Sequence, residues 1–430
     1  MTSLAPKSAN TSPPGEETTN LFDAWLAPAG PVALRLRQRL FPVEADENGR
    51  GIIFPPTYAD IGYNIDTLAD GTRVATIDTV GSQANRLEPI FKSSGRNAEG
   101  EELNPLASLV PQIEIVLQKK AVSKKGKTKE ADLQDCDDGA NQHVEKRSIL
   151  DLAHRSADAA VLASPTLAGE VAKAFEALRS KGNATPLCAI APTSLVFGVW
   201  DSRGGSGEKR PRLVRSIIRA WDVDVLRSAA QFNSVWKALS DEQQKELEKE
   251  AKAKKIKLSV KGFADAPATF RTDKVPQFVS GAPNPEARVL GGVLAKGPIE
   301  RDVTINLVAL RGLRGKDDEE TKQVQKYLLG LALIAATTDL ELFLREGCLL
   351  RYASDDAWTT VPRRAEPAPV SLPVHDELVA FAMAAAAPFK DKWPKDTEGK
   401  PLALEHEFNL AEAKKLLAKK DEDAPAGEPG

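Results

Sequence analysis

The chain has 430 residues, enough for two or three average domains or for one large domain with insertions. Its 58 Lys and Arg nearly balance its 61 Asp and Glu, so bulk charge does not predict binding to a polyanion, and only local patches can provide it. The three cysteines, Cys136, Cys188 and Cys348, lie far apart without a CxxC motif, which excludes a disulfide framework and a cysteine-based zinc site and fits a reducing cytosol.

The N-terminal part of the sequence predicts a leader followed by short strands and a helix. Residues 1–20 are rich in Ser, Thr, Pro and Gly without an apolar core, which predicts a disordered leader rather than a signal peptide. In PVALRLRQRLF the apolar residues alternate with charged ones, which predicts a strand with Arg35, Arg37 and Arg39 on one face. GIIFPPTYAD and RVATIDTV predict further extended segments, and SQANRLEPIF predicts a helix that begins at Ser82 and is limited by Pro89.

The next part of the chain reads as an insertion followed by a return to core-like patterns. PQIEIVLQ predicts a strand, and the polar segment after it, with six lysines between Lys119 and Lys129, predicts a mobile loop. TLAGEVAKAFEALRSKG then predicts an amphipathic helix that ends at Gly182.

TSLVFGVWD and RLVRSIIRAWDV flank a glycine-rich loop. The first predicts a strand by composition. The second fits either a helix or a strand, and its β-branched residues and the preceding loop favour a strand in a hairpin. In the strand, Arg215, Arg219 and Trp221 share a face with Leu213 and Ile217.

The C-terminal half mixes helices and strands. Residues 228–258 predict a solvated, heavily charged helix, and residues 263–300 predict a loop. VTINLVALRGL predicts a strand, QVQKYLLGLALIAATTDL a buried helix, CLLRYASDDAWTTV an extended segment, and residues 376–387 a short helix. The longest apolar run, Tyr327 to Thr337, is too short to cross a bilayer. The order of elements predicts one α+β domain with long insertions.

Catalytic motifs are incomplete in this sequence. Gly207-Glu208-Lys209-Arg210 lacks the Lys-Ser/Thr ending of a P-loop, and Glu208 occupies the last glycine position of a GxSxG elbow. The four histidines have no metal-binding spacing. We therefore expect no enzyme, no metal and no cofactor.

Positive charge is concentrated between Arg203 and Arg219, where six cations and one acid follow a glycine loop. Backbone N–H groups of such a loop and arginine guanidinium groups both bind phosphate oxygens. Trp200 and Trp221 flank the segment and offer surfaces for base stacking. The alternative, equally favoured by composition, is a flexible hairpin whose arginines pair with surface acids.

Two further polar clusters are candidates for a site. In AHRSADAA, His154 and Arg155 are adjacent, although a lone histidine more often makes a structural hydrogen bond. In SQANRLEP, Gln83, Asn85 and Arg86 form a cluster of amide and guanidinium donors. The alternative interpretation, which the local sequence favours, is a helix cap with exposed polar residues.

Three segments carry a family resemblance: DTVGSQANRLEPIF, LAHRSADAAVLAS and APTSLVFGVWDSRGGSGEKRPRLVRSIIRAWDV. In this order and spacing they resemble the backbone subunit of type I-G (formerly I-U) CRISPR Cascade interference complexes, the "seven" Cas family of the RAMP superfamily. The likeness extends from about Leu21 to about Val361.

The resemblance implies an RRM-like (ferredoxin-like) palm with insertions that form thumb and finger elements. The expected organisation is a leader at 1–20, the palm at 21–365 with insertions at about 93–147 and 228–300, a helical extension at 366–419, and a disordered acidic tail at 420–430. Copies would polymerise head-to-tail along a CRISPR guide RNA in the cytoplasm. The guide would pair with target DNA, and other Cascade subunits and a separate helicase-nuclease would join.

The residues that match the motif segments, together with one strand arginine, are the expected RNA contacts: Arg35, Gln83, Asn85, Arg86, His154, Arg155, Arg203, Lys209, Arg210, Arg212, Arg215 and Arg219. Two alternatives stay open. One is an RNA-processing endonuclease of the same superfamily with His154 as general acid or base, and the other is a scaffolding protein that binds no nucleic acid.

Overall fold

The computed structural model describes residues 16–58, 61–118, 144–200, 209–228, 235–256, 258, 263, 278–279, 282–283, 289–353, 357–393 and 404–418. Helices α1–α11 are, in order, Glu16–Leu26, Val80–Leu87, Ala159–Leu162, Pro165–Lys181, Thr185–Ile190, Pro192–Val196, Asp241–Ala253, Leu307–Arg311, Asp318–Thr337, His375–Lys390 and Leu410–Ala418. Within these ranges, no helix combines the length and hydrophobicity needed to cross a bilayer.

The strands β1–β21 are short apart from those of one central sheet. They are, in order, Ala33–Pro42, Ile52–Ile53, Thr57–Tyr58, Gly62–Tyr63, Ile65–Thr67, Arg73–Asp78, Ile113–Gln118, Val144–Ser148, Val199–Trp200, Lys209–Arg210, Val214–Trp221, Val223–Ser228, Phe278–Val279, Ala282–Pro283, Val289–Ala295, Ile299–Asn306, Phe343–Arg345, Cys348–Tyr352, Ala357–Val361, Ala368–Pro369 and Leu404–Glu407.

A curled antiparallel sheet organises this mixed α+β fold. Its strand order is β17-β18-β1-β16-β11-β6-β5, and β19 pairs with β1 beside β18. Strand β16 lies at the centre, hydrogen-bonded to β1 on one side and β11 on the other. Because side chains alternate along a strand, this sheet has an inner face and an outer face.

The inner face of the sheet is the apolar one. Leu34 and Leu36 of β1, Val303 and Ile305 of β16 and Val214 of β11 belong to the main core cluster. Helices α2 and α9 cover this face, and α10 packs against α9. Gly330 permits that close approach, because a Cβ there would lie 2.9 Å from Ala382 Cα. Helix α10 therefore contributes to the core.

Several sequence predictions are confirmed. Strand β1 carries the predicted alternation, α4 ends at Gly182 with φ +65°, and residues 214–221 form a strand rather than a helix. The buried helix is α9, the extended segments near the C-terminus are β18 and β19, and no residue of the charged helix α7 is buried.

Other predictions differ from the structure for local reasons. The helix expected at Ser82 begins at Val80, because the Thr79 side chain accepts the Ser82 N–H and caps it. Residues 193–196 are helical, because Pro192 begins the short helix α6, and only Val199–Trp200 form a strand. That strand pairs with β10, so the hairpin partner expected for β11 is absent there.

Three further segments differ from their predicted structure; two were predicted to be irregular and one to be a single strand. Helix α1 begins at Glu16, inside the expected leader. Strand β15 lies in the segment predicted as a loop. Its sequence contains Gly292, which has φ +101° and interrupts the apolar pattern from which a strand is predicted. The strand at 303–313 ends at Asn306, whose side chain caps helix α8. The lysine-rich segment 119–129 lies outside the described residues.

Candidate nucleic-acid interface

The outer face of the central sheet carries a set of arginines on two strands. We call the set the arginine face: Arg35, Arg37 and Arg39 of β1 with Arg215 and Arg219 of β11. Helices α2 and α9 occupy the opposite side, and these five side chains are exposed or half-exposed. The face exists because side chains alternate along a strand: Arg35, Arg37 and Arg39 occupy successive outward positions of β1, and Arg215 and Arg219 lie on either side of Ile217 in β11.

Strand register places the arginines of β1 and β11 on either side of β16, whose outer face carries Glu300 and Asp302. Thr304 of β16 lies between Arg35 and Arg215, and Glu300 lies between Arg39 and Arg219. Two strand spacings, about 10 Å, separate the arginines within each row. The face therefore presents cations on both sides of a central strand that bears acids.

Asp302 neutralises one side of the arginine face more than the other. Its Oδ1 accepts from Arg35 Nη2 at 2.9 Å and from Arg37 Nε at 3.2 Å. In contrast, Arg39, Arg215 and Arg219 form no ion pair with a carboxylate of the described residues. Guanidinium groups without a carboxylate partner present their N–H donors to solvent, in the geometry that phosphate oxygens accept.

Arg212 extends the positive charge beyond the start of β11. The pKa of its guanidinium is lowered mainly by desolvation, and the neighbouring cations Arg155 and Arg215 lower it further. The charge of Arg212 therefore adds to that of Arg215 at this end of β11. A bound anion beside the two guanidinium groups would favour their charged forms.

Gly198 holds the backbone close to Arg212. It has φ +79°, and an added Cβ would lie 2.7 Å from Arg212 Cγ and 3.1 Å from the Arg210 carbonyl oxygen. Only glycine accepts this conformation and this approach without strain. The close packing of the segment before β9 against Arg212 therefore depends on this residue.

We expect Gly198→Ala to lower the free energy of unfolding by about 1–2 kcal/mol, because alanine is strained at positive φ and collides with the Arg212 stem. Urea denaturation measures the change. The matched control is Gly169→Ala in α4, where an added Cβ meets nothing within 4 Å. That control should be neutral or stabilising, since alanine favours a helix. Equal destabilisation by both substitutions would contradict the role of Gly198.

The short hairpin of β9 and β10 carries an exposed aromatic residue. Trp200 is 55% exposed, and Lys209 Nζ lies 5.6 Å from the centre of its ring. Arg210 is half-buried in the same hairpin. Arg203 lies outside the described residues. The hairpin thus places a cation and a flat ring beside the start of the arginine face.

Two predicted contacts, Gln83 and Arg86, are committed to the fold. Gln83 is fully buried, donates from Nε2 to Asp78 Oδ2 at 2.5 Å, and accepts from Ser216 Oγ at 2.7 Å. Arg86 donates from Nε to the same Asp78 oxygen and from Nη2 to the Leu344 carbonyl. The structure therefore places these two side chains where they tie α2 to the sheet.

Arg301 is the largest fully buried side chain and was absent from the sequence prediction. Its Nη1 donates to Gln38 Oε1 at 2.7 Å, and its Nε donates to Ser216 Oγ at 3.1 Å. It joins Gln83 and Asp78 in a polar cluster on the inner face, directly behind the arginine face. The sequence contains a signal for this burial, because Arg301 occupies the same alternate positions as Ile299, Val303 and Ile305, and these are the buried positions of β16.

Arg155 is buried as well, with φ +52°. Its Nε lies 2.7 Å from Glu88 Oε2, its Nη2 donates to Asn85 Oδ1 at 3.2 Å, and its Nη1 reaches the Gly198 carbonyl at 3.4 Å. Burial raises the pKa of the Glu88 carboxyl to about 7, and the positive charge of Arg155 opposes that rise. Arg155 thus supports the segment that carries Gly198, and Asn85 remains exposed on α2.

His154 is exposed just before the 3₁₀ turn that contains Arg155, and its backbone N–H donates weakly to Asp158. Among the described residues, no group of three His, Cys, Asp or Glu side chains is arranged to hold a metal.

Residues 34–225 match a family of CRISPR-associated proteins. The family is described as CRISPR-associated protein GSU0053. The matched segment contains both arginine-bearing strands and all the residues predicted as RNA contacts. A solved structure described as "CRISPR RNA-guided surveillance complex, pre-nicking" aligns over 90% of this chain and 99% of that chain, with 11% identity and a TM-score of 0.30. No curated protein matches the sequence.

Proposed function

We propose that this chain is a CRISPR guide-RNA-binding backbone subunit, of the type I-G kind, and that the arginine face grips the RNA. The observation that carries the proposal is that Arg39, Arg215 and Arg219, which have no carboxylate partner among the described residues, lie on one face of the sheet within the segment that matches a CRISPR-associated family. Residues that lie at the sheet surface take the role of contacts: Arg39, Arg212, Arg215 and Arg219.

The proposed fold is an RRM-like palm whose helices cover one side of the sheet. In that arrangement the free side is the one that meets RNA. Here the free side bears guanidinium groups rather than a row of aromatic rings, so its contacts go to phosphates. Phosphate contacts fix position without reading sequence, which suits a protein that accepts any guide.

The proposed assembly is a head-to-tail series of copies along the guide in the cytoplasm. A net charge of −3 for the whole chain keeps stacked copies from strong mutual repulsion, while the face retains its local positive charge. The guide pairs with target DNA, and other Cascade subunits and a helicase-nuclease act on that DNA. This subunit binds and does not cleave.

Affinity for single-stranded RNA should fall steeply with salt. Four arginines without carboxylate partners among the described residues predict a slope of log K against log[salt] of about −3, because each neutralised phosphate of a single strand contributes about −0.7. Fluorescence anisotropy from about 50 to 300 mM NaCl, with two guides of unrelated sequence, measures the slope.

Both guides should give the same slope and similar affinities. A slope near zero, or strong preference for one guide, would refute binding through phosphates. Absence of RNA binding at low salt would leave the scaffolding alternative.

A further inference from the structure

The outer face of β1 continues past Arg39 to an aromatic ring. Phe41 lies two residues along the same face, and Arg351 of β18 is its partner in the ladder. The guanidinium carbons of Arg39 and Arg351 lie 5.1 Å and 5.0 Å from the centre of the Phe41 ring. Both arginines are exposed, and neither forms an ion pair with a carboxylate of the described chain.

The turn after β1 forms a wall beside this ring. Asp46 Oδ1 accepts from the backbone N–H groups of Asn48 and Arg50, each at 2.9 Å, and the Arg50 side chain binds the other oxygen. Gly49 has φ +75°, and a Cβ there would lie 2.8 Å from Phe41 Cε1. The turn therefore lies against the ring, and of its acids Asp46 and Glu47 face the space beside the ring.

The turn and the Phe41 ring border a cleft that is open to solvent and has a volume of about 360 Å³. We call it the Phe41 cleft; it is lined by Arg39, Phe41, Arg351 and the turn 45–49. Its volume falls in the range of small-ligand sites, roughly 300–1,000 Å³. Because the turn is fixed by its own hydrogen bonds, the cleft is preformed.

The chemistry of the Phe41 cleft suits a nucleobase. A guanidinium group held against an aromatic ring has its orientation set, and its remaining surface offers a plane on which an unpaired base stacks. Glu47 and Asn48 at the wall present acceptors for the N–H groups of a base edge. A bare phosphate is less suited, because it would approach the Glu47 carboxylate.

We infer that the Phe41 cleft binds one unpaired nucleotide at the end of the RNA track, with its base in the cleft and its phosphate on Arg39. The inference rests on the proposed function, because the cleft lies on the same sheet face as the arginines proposed to hold the RNA backbone. It adds a base-stacking position to a face that otherwise contacts phosphates.

Calorimetric titration of the full chain with AMP, adenosine and ribose 5-phosphate tests the inference. AMP should bind most tightly and ribose 5-phosphate most weakly, because stacking needs the base. Arg351→Ala should weaken AMP binding about tenfold through loss of the stacking plane. The matched control is Arg364→Ala, which removes an exposed arginine beyond β19, next to the opposite end of β1.

A second pair of measurements separates the inference from the proposed function. Arg215→Ala/Arg219→Ala should weaken RNA binding and leave AMP binding unchanged. If RNA binds but AMP does not, or if Arg351→Ala has no effect on AMP, the inference fails and the proposed function stands. If AMP binds and RNA does not, the proposed function fails and the cleft is a mononucleotide site. Preference for a glutamate-rich peptide over AMP would overturn the inference in favour of a protein partner.

Discussion

Arg212→Ala/Arg215→Ala/Arg219→Ala is expected to abolish assembly on guide RNA and to lower RNA affinity at least about 100-fold. Arg215 and Arg219 lie along the outer side of β11, where the sheet fixes the spacing of their backbone, and Arg212 lies just before the strand. Because this backbone is already ordered, binding phosphates does not have to order it, so each arginine contributes more than a cation on a flexible segment. Anisotropy and electron microscopy of the assemblies measure the loss.

The fold should survive this triple substitution, since none of the three residues is buried. Circular dichroism checks that expectation. A matched control removes three exposed arginines from other surfaces, Arg96→Ala/Arg147→Ala/Arg179→Ala. This control loses the same net charge as the first variant and should change RNA affinity by only a few-fold.

The six lysines from Lys119 to Lys129 offer a second comparison. Their replacement by serine should weaken assembly only modestly, although it removes twice as many charges. If the serine variant fails to assemble and the arginine variant assembles normally, the RNA track lies on the 119–129 segment and the arginine face is not the interface.

The strands of the arginine face were predictable because their pattern is local. Alternation in PVALRLRQRLF and the β-branched residues of RLVRSIIRAWDV identify β1 and β11, and a period of two places their arginines on one side. The register between the strands is not local. Asp302, which binds Arg35, lies 267 residues away in the chain, so no sequence window reveals which arginines are neutralised.

The buried polar residues were harder to predict for a related reason. Charged and amide side chains in a short segment normally indicate surface, and the family resemblance predicts Gln83 and Arg155 as RNA contacts. Their burial follows from partners contributed by distant segments, such as Ser216 for Gln83 and Glu88 for Arg155. A buried cation is tolerated only where such partners meet, which is a property of the assembled fold.

Arg155→Met is expected to lower the free energy of unfolding by about 3–5 kcal/mol near pH 8, because it leaves the buried Glu88 carboxyl without its cation. Methionine retains most of the apolar stem beside Phe197, so the loss reports the charge. Urea unfolding at about pH 5.5, 7 and 8.5 measures how the loss depends on pH.

The sign of that dependence follows from the pKa of Glu88. Burial already raises this pKa to about 7, and removing Arg155 removes the charge that opposes the rise. A folded pKa above the unfolded value means that the folded state retains a proton which the unfolded state releases, so stability falls as pH rises from about 4.5 through the folded pKa. In the wild type this fall ends near pH 7, whereas in Arg155→Met it continues to higher pH, and the difference between the two widens.

The double variant Arg155→Met/Glu88→Gln distinguishes a lost charge pair from lost packing. A neutral amide of the same shape needs no cation, so the double variant should regain much of the stability that Arg155→Met loses and should show a flatter pH profile. Glu88→Gln alone should destabilise at every pH, because it leaves Arg155 buried without a carboxylate. If Arg155→Met costs the same stability at every pH and the second substitution restores nothing, Arg155 acts through its contacts with Asn85 and Gly198 rather than through the charge of Glu88.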